Sequence, residues 1–140
     1  MIDKDFKILK VDHIAIATSS FKEIGGFFKD ILQLDCVSEE TIDSEKVKLL
    51  KFDFKNINLE VLSPTSADSP IQKFIKKNKT GVHHVSLLVD NIYRAILYFD
   101  RCGIRVIYNP PRVGALNKLI TFLHPSDTYG VLIEISQDNI

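Results

Sequence analysis

The amino-acid sequence predicts an α+β domain built from two βαβββ modules, whose curved mixed sheets face a shared cleft. Three observations carry this prediction. The first is an internal repeat. Val11-Asp12-His13-Ile14-Ala15-Ile16-Ala17 returns 71 positions later as Val82-His83-His84-Val85-Ser86-Leu87-Leu88, and the same offset carries Phe27-Phe28-Lys29-Asp30 onto Tyr98-Phe99-Asp100-Arg101. The second is a closing segment in each half, Ile57-Asn58-Leu59-Glu60-Val61-Leu62 and Val131-Leu132-Ile133-Glu134-Ile135-Ser136, offset by 74 as if one loop were three residues longer. The third is composition. Among 140 residues, 45% are apolar and 26% charged, which suits one globular domain with a proper core and not a disordered chain.

The elements follow in order. Val11 to Thr18 is apolar and β-branched, the signature of a strand buried on both faces. Ser19 and Ser20 are N-cap candidates for a helix whose apolar positions Phe21, Ile24, Phe28, Ile31 and Leu32 keep helical spacing. Three short strands complete the first module, around Cys36–Glu39, Val47–Phe54 and Ile57–Leu62. A connector helix is expected next, with Ser69 as cap, Pro70 at its first position, an apolar stripe of Ile71, Phe74 and Ile75, and Gly81 closing the linker. The second module opens with a strand over Val82–Val89, then Asp90 as N-cap and a helix to Cys102. Gly103 stands where a helix end needs a left-handed residue. Strands near Arg105–Tyr108, Leu119–Leu123 and Val131–Ser136 follow. The expected organisation is one domain over 1–140, with module one at about 9–64, the connector at about 69–80 and module two at about 82–137.

Charge and composition narrow the function. Lys and Arg total 18 and so do Asp and Glu, so the formal net charge is zero, which argues against a nucleic-acid binder or a polybasic membrane-surface protein. No apolar run is long enough to span a membrane, and the opening MIDKDFKILK has no signal-like apolar stretch, so a cytoplasmic location is expected. Cys36 and Cys102 have neither framework nor metal-type spacing and read as small buried or half-buried thiols.

Four polar residues interrupt the apolar strands: His13, Glu60, His84 and Glu134. A carboxylate in the middle of a buried strand is costly unless paired or metal-bound. Taken singly, each glutamate reads as solvent-facing and each histidine as a satisfied core residue. The repeat changes this, because both halves carry a His along the first strand and a Glu in the last. With the modules related by an approximate two-fold, the four side chains converge on one point. Two imidazoles and two carboxylates suit one borderline divalent ion such as Co, Ni, Zn or Fe, making the cleft a metal-binding one.

The pattern resembles the vicinal oxygen chelate superfamily, whose paired βαβββ modules hold a divalent metal with two residues from each. Within it the methylmalonyl-CoA epimerases are most similar. The tokens are Asp12-His13-Ile14-Ala15-Ile16-Ala17, Leu59-Glu60-Val61-Leu62-Ser63-Pro64, Asp68-Ser69-Pro70-Ile71 and Gly81-Val82-His83-His84-Val85, then Val89-Asp90-Asn91-Ile92, Phe122-Leu123-His124-Pro125 and Gly130-Val131-Leu132-Ile133-Glu134. The resemblance implies His13, Glu60, His84 and Glu134 as ligands, Glu134 also as catalytic base, and a homodimer acting on a small-molecule thioester. A bound ion stabilises the enediolate that forms as the base removes an α-proton, and return of the proton to the other face inverts the carbon. A glyoxalase I-type lyase shares the ligands and is the second expectation. A non-enzymatic small-molecule binding protein is the third.

Two departures from the family pattern stand out. The loop Gly114-Ala115-Leu116-Asn117 lacks the second glycine of Gly-Ala-x-Gly. Leu49 stands where some epimerases carry a second acid, with Glu45 nearby in sequence. Arg112 and Lys118 flank that loop and are phosphate candidates, whereas Lys73, Lys76, Lys77 and Lys79 read as solvated. His83 reads as structural. His124 either lines the cleft or caps a turn.

Overall fold

The computed structural model describes residues 2–139. The chain packs as two compact units, one of residues 13–83 and the other of residues 2–12 together with 84–139. Each is a four-stranded mixed sheet with helices, so the α+β class and the paired βαβββ modules are as the sequence predicts.

In the first unit β1 (Ile8–Thr18, entering it at His13), β2 (Cys36–Ile42), β3 (Val47–Asp53) and β4 (Asn58–Pro64) lie in the order β2-β3-β4-β1. β1 and β4 run parallel and the other pairs antiparallel. One sheet face packs Leu50, Phe52 and Val61 against Phe21, Ile24 and Phe28 of the helical layer. That layer is α1 (Phe21–Gly26) and then a π-helical turn over Phe27–Ile31. The wider turn rotates the end of the segment, so Ile31 and Leu32 leave the buried stripe expected of them and are 70% and 47% exposed. Gly25 lets the helix approach closely, since a Cβ there would stand 2.9 Å from Leu50 Cδ1. Ser20 is the N-cap residue, yet its side chain makes no capping bond; its amide donates to Thr18 Oγ1 at 2.9 Å. The connector helix α2 (Gln72–Asn78) begins later than expected. Pro70 and Ile71 form a turn in which the Gln72 amide donates to the Ser69 carbonyl at 3.0 Å, and Ile71 occupies the cap position.

In the second unit β5 (Thr80–Val89, entering it at His84), β6 (Arg112–Val113), β7 (Leu119–Leu123) and β8 (Ile133–Gln137) lie in the order β5-β8-β7-β6. Here too the first and last strands of the module are parallel neighbours. The helix α3 (Ile92–Arg101) buries Ile92, Ala95 and Ile96 against Val89, Leu123, Ile135 and Phe6. Its N-cap is Asn91, which accepts from the Arg94 amide, while the expected Asp90 accepts from the Lys7 amide at 2.8 Å. Gly103 takes the left-handed turn, with φ 77°. Cys36 is half-buried, but Cys102, just past the end of α3, is exposed. The strand expected over Arg105–Tyr108 is reduced to a single bridge, Val106 to Leu123. Two backbone bonds flank it, the Ile107 amide to the Phe122 carbonyl and the His124 amide to the Arg105 carbonyl, both at 2.8 Å. Side chains take the positions beside them: the Arg105 amide and guanidinium donate to Asp127, and the Tyr108 amide donates to Thr121 Oγ1 at 3.0 Å. Pro110 and Pro111 offer no amide donors, and pairing resumes only in the two residues of β6.

Candidate metal centre

Strand alternation decides which residues leave the core. In β4, Leu59 and Val61 point into the helical layer, so Glu60 between them points to the other face. The parallel register sets Ala15 beside Glu60, and His13, two residues earlier, shares that face. His13 Nδ1 lies 3.3 Å from Glu60 Oε2, with side chains only 5% and 8% exposed. Leu49 opposes Leu62 on the same face and is fully buried, so an apolar side chain fills the position that carries an acid in some epimerases.

The second half repeats the arrangement. Ile133 and Ile135 pack towards the helix and Glu134 does not. Ser86 is beside Glu134 in the β5–β8 register, and His84 Nε2 lies 3.6 Å from Glu134 Oε2. Phe122 opposes Glu134 on β7 and sets its ring edge-on to His84, centroids 5.3 Å apart. Tyr108 packs on Phe122, and the Arg112 guanidinium lies over the Tyr108 ring at 3.9 Å. Each half therefore holds one buried imidazole–carboxylate pair.

This donor set fits a divalent ion. A carboxylate so deeply withdrawn from water needs a cation or hydrogen-bond donors, and in each half an imidazole nitrogen beside a carboxylate offers the kind of ligands a borderline metal prefers. Glu134 has a further partner that the sequence reading did not single out: Ser86 Oγ donates to Glu134 Oε1 at 2.7 Å. Its only sequence signal is that the repeat aligns Ser86 with Ala15.

The remaining candidates are accounted for individually. Lys118 Nζ is spoken for, 2.7 Å from buried Asp12 and 3.5 Å from Asp138. Burial opposes its charge, but the hydrogen bond and charge of Asp12, with Asp138 adding, hold the ammonium above its ordinary value. His83 packs edge-on to Phe74, and burial lowers its imidazole to about 4, in line with a structural role. His124 caps a turn, its Nδ1 accepting from the Ser126 amide at 3.1 Å. Glu45 lies in the turn between β2 and β3. At the altered loop, Leu116 and Asn117 both take left-handed backbone, φ 54° and 60°, so Asn117 keeps a conformation that glycine adopts freely.

Residues 12–122 match the model of the Glyoxalase/Bleomycin resistance protein/Dioxygenase superfamily. The mitochondrial methylmalonyl-CoA epimerase of Bos taurus is 35% identical over 91% of this chain and 74% of its own length, and that of Dictyostelium discoideum 36% identical over 91% and 78%. Among solved structures, a variant of the Streptomyces coelicolor methylmalonyl-CoA epimerase in complex with 2-nitronate-propionyl-CoA superposes with a TM-score of 0.89 at 28% identity. The match covers 96% of this chain and all of that one. These relatives are isomerases, and the chain belongs to the glyoxalase/bleomycin resistance protein/dioxygenase superfamily.

Proposed function

We propose that the chain is a metal-dependent epimerase of methylmalonyl-CoA or a close acyl-CoA, with His13, Glu60, His84 and Glu134 holding one divalent ion. The observation that carries the reading is the buried imidazole–carboxylate pair repeated in the two halves. The similarity to enzymes named for this reaction supports the substrate. A bound ion (Co, Ni, Zn or Fe) supplies positive charge next to the thioester oxygen that becomes negative as the α-proton leaves. Glu134 takes that proton. Its carboxylate is fixed by Ser86 at one oxygen, and Phe122 stands opposite it on β7. Inversion requires the proton to return to the opposite face, and the buried Leu49 leaves that step to a donor other than an acid at its own position. The proposal includes a cytoplasmic homodimer, its oligomeric state checked by sedimentation.

The test is wash-out of the α-proton of methylmalonyl-CoA in D2O, followed by NMR, with cobalt-loaded protein. Fast exchange that is abolished by chelator and by Glu134→Gln supports the reading. Exchange at the protein-free rate, with cobalt bound and the fold intact, overturns it. Turnover of the glutathione hemithioacetal of methylglyoxal in its place would make the chain a glyoxalase I-type lyase.

A further inference from the structure

The two halves agree at the His and the Glu and part company two residues after each His. In the first half that residue is Ala15, a methyl group beside Glu60; in the second it is Ser86, a hydroxyl beside Glu134. Ser86 is completely buried, as is Ser136, whose Oγ stands 3.2 Å from Ser86 Oγ. A serine hydroxyl has one proton, and a carboxylate is the stronger acceptor, so the Ser86 proton goes to Glu134 Oε1 at 2.7 Å. Ser136 then turns its own proton to the Ser86 oxygen in preference to the Leu87 carbonyl at 3.5 Å. A chain Ser136 to Ser86 to Glu134 results, all of it dry, and dry hydrogen bonds of this kind fix orientation strongly.

We infer that Ser86 is a positioning residue that distinguishes the two glutamates: it ties Glu134 Oε1 and so holds the carboxylate in the rotamer that turns Oε2 towards His84. The inference rests on the proposal that Glu134 is a metal ligand. Without the hydroxyl the carboxylate loses that anchor on Oε1, and partners of this kind are commonly worth 10–100-fold in metal affinity.

The experiment is a Co2+ titration of wild type, Ser86→Ala and Ser136→Ala by competition with a chelating dye, with the visible cobalt spectrum recorded at saturation. Ser86→Ala removes one atom and creates no clash, and melting in chelator checks that it folds. The expected result is a roughly 10–100-fold weaker Co2+ affinity for Ser86→Ala with an altered cobalt spectrum, and a clearly smaller loss for Ser136→Ala, one step farther from the carboxylate. Unchanged affinity in Ser86→Ala, or equal losses in the two variants, overturns the inference. Failure of the wild type to bind Co2+ at all would instead remove the metal-site reading beneath it.

Discussion

His13 Nδ1 and Glu60 Oε2 lie 3.3 Å apart, buried together on adjacent parallel strands. Such a pair is costly to bury, so binding a cation there should stabilise the fold. At free Co2+ one hundred times its dissociation constant, mass action gives about 2.7 kcal/mol. For a chain of this size that is a rise in melting temperature of roughly 5–10 °C. The rise should vanish in His13→Ala and in Glu60→Ala, as measured by calorimetry with and without chelator.

Lys118 and Asp12 form a further ion pair largely withdrawn from water. Lys118→Met leaves the Asp12 carboxylate buried without its cation and should cost about 2–4 kcal/mol in urea unfolding. Asp12→Asn in the same chain should recover part of that loss. Because the folded ammonium titrates above its ordinary 10.5, its stabilisation is complete below that pH and fades as pH rises through the higher folded value. The Lys118→Met chain should therefore show a flatter stability profile in strong alkali.

Asp127 receives the Arg105 amide and guanidinium, and the hydrogen bond from the guanidinium is the main cause that lowers its carboxyl to about 2. Its folded value lies below the ordinary 3.8, so the stabilisation is present above that pH and is lost as pH falls towards 2. Asp127→Asn should remove that part of the acid slope and raise exchange of the Arg105 amide, which donates to Asp127.

The left-handed backbone at Asn117 makes that position testable as well. Asn117→Gly should change stability by less than about 1 kcal/mol, whereas Asn117→Val should cost about 1–2 kcal/mol, because branching at Cβ disfavours this conformation. Thermal unfolding of the two variants makes the comparison.

The repeat made the architecture legible, because equivalent strands and helices had to recur at a fixed offset. It also singled out the four residues proposed as ligands, since a single buried His or Glu has an ordinary explanation and a matched set does not. The misplacements have local causes. Ile31 and Leu32 keep helical spacing in sequence, but the π turn after Gly25 and Gly26 rotates them outward. Arg105–Tyr108 has strand-like residues, but only its middle pairs by backbone, and the Arg105 and Tyr108 amides go to side chains, Asp127 and Thr121, which no periodicity reports. Asp90 and Asn91 are both good caps, and only the tertiary partner of Asp90, the Lys7 amide, separates them. Ser86 escaped notice because serine among apolar residues is unremarkable until its hydroxyl is seen on Glu134.

The central claim is that the two halves share one ion, and cobalt stoichiometry tests it most directly. Equilibrium dialysis should find one Co2+ per chain in the wild type and none held tightly by His13→Ala or by His84→Ala, because each variant removes a ligand from the same ion. Two ions per chain, or one ion kept by each variant with undiminished affinity, would mean that the pairs His13–Glu60 and His84–Glu134 work separately, and would contradict the account.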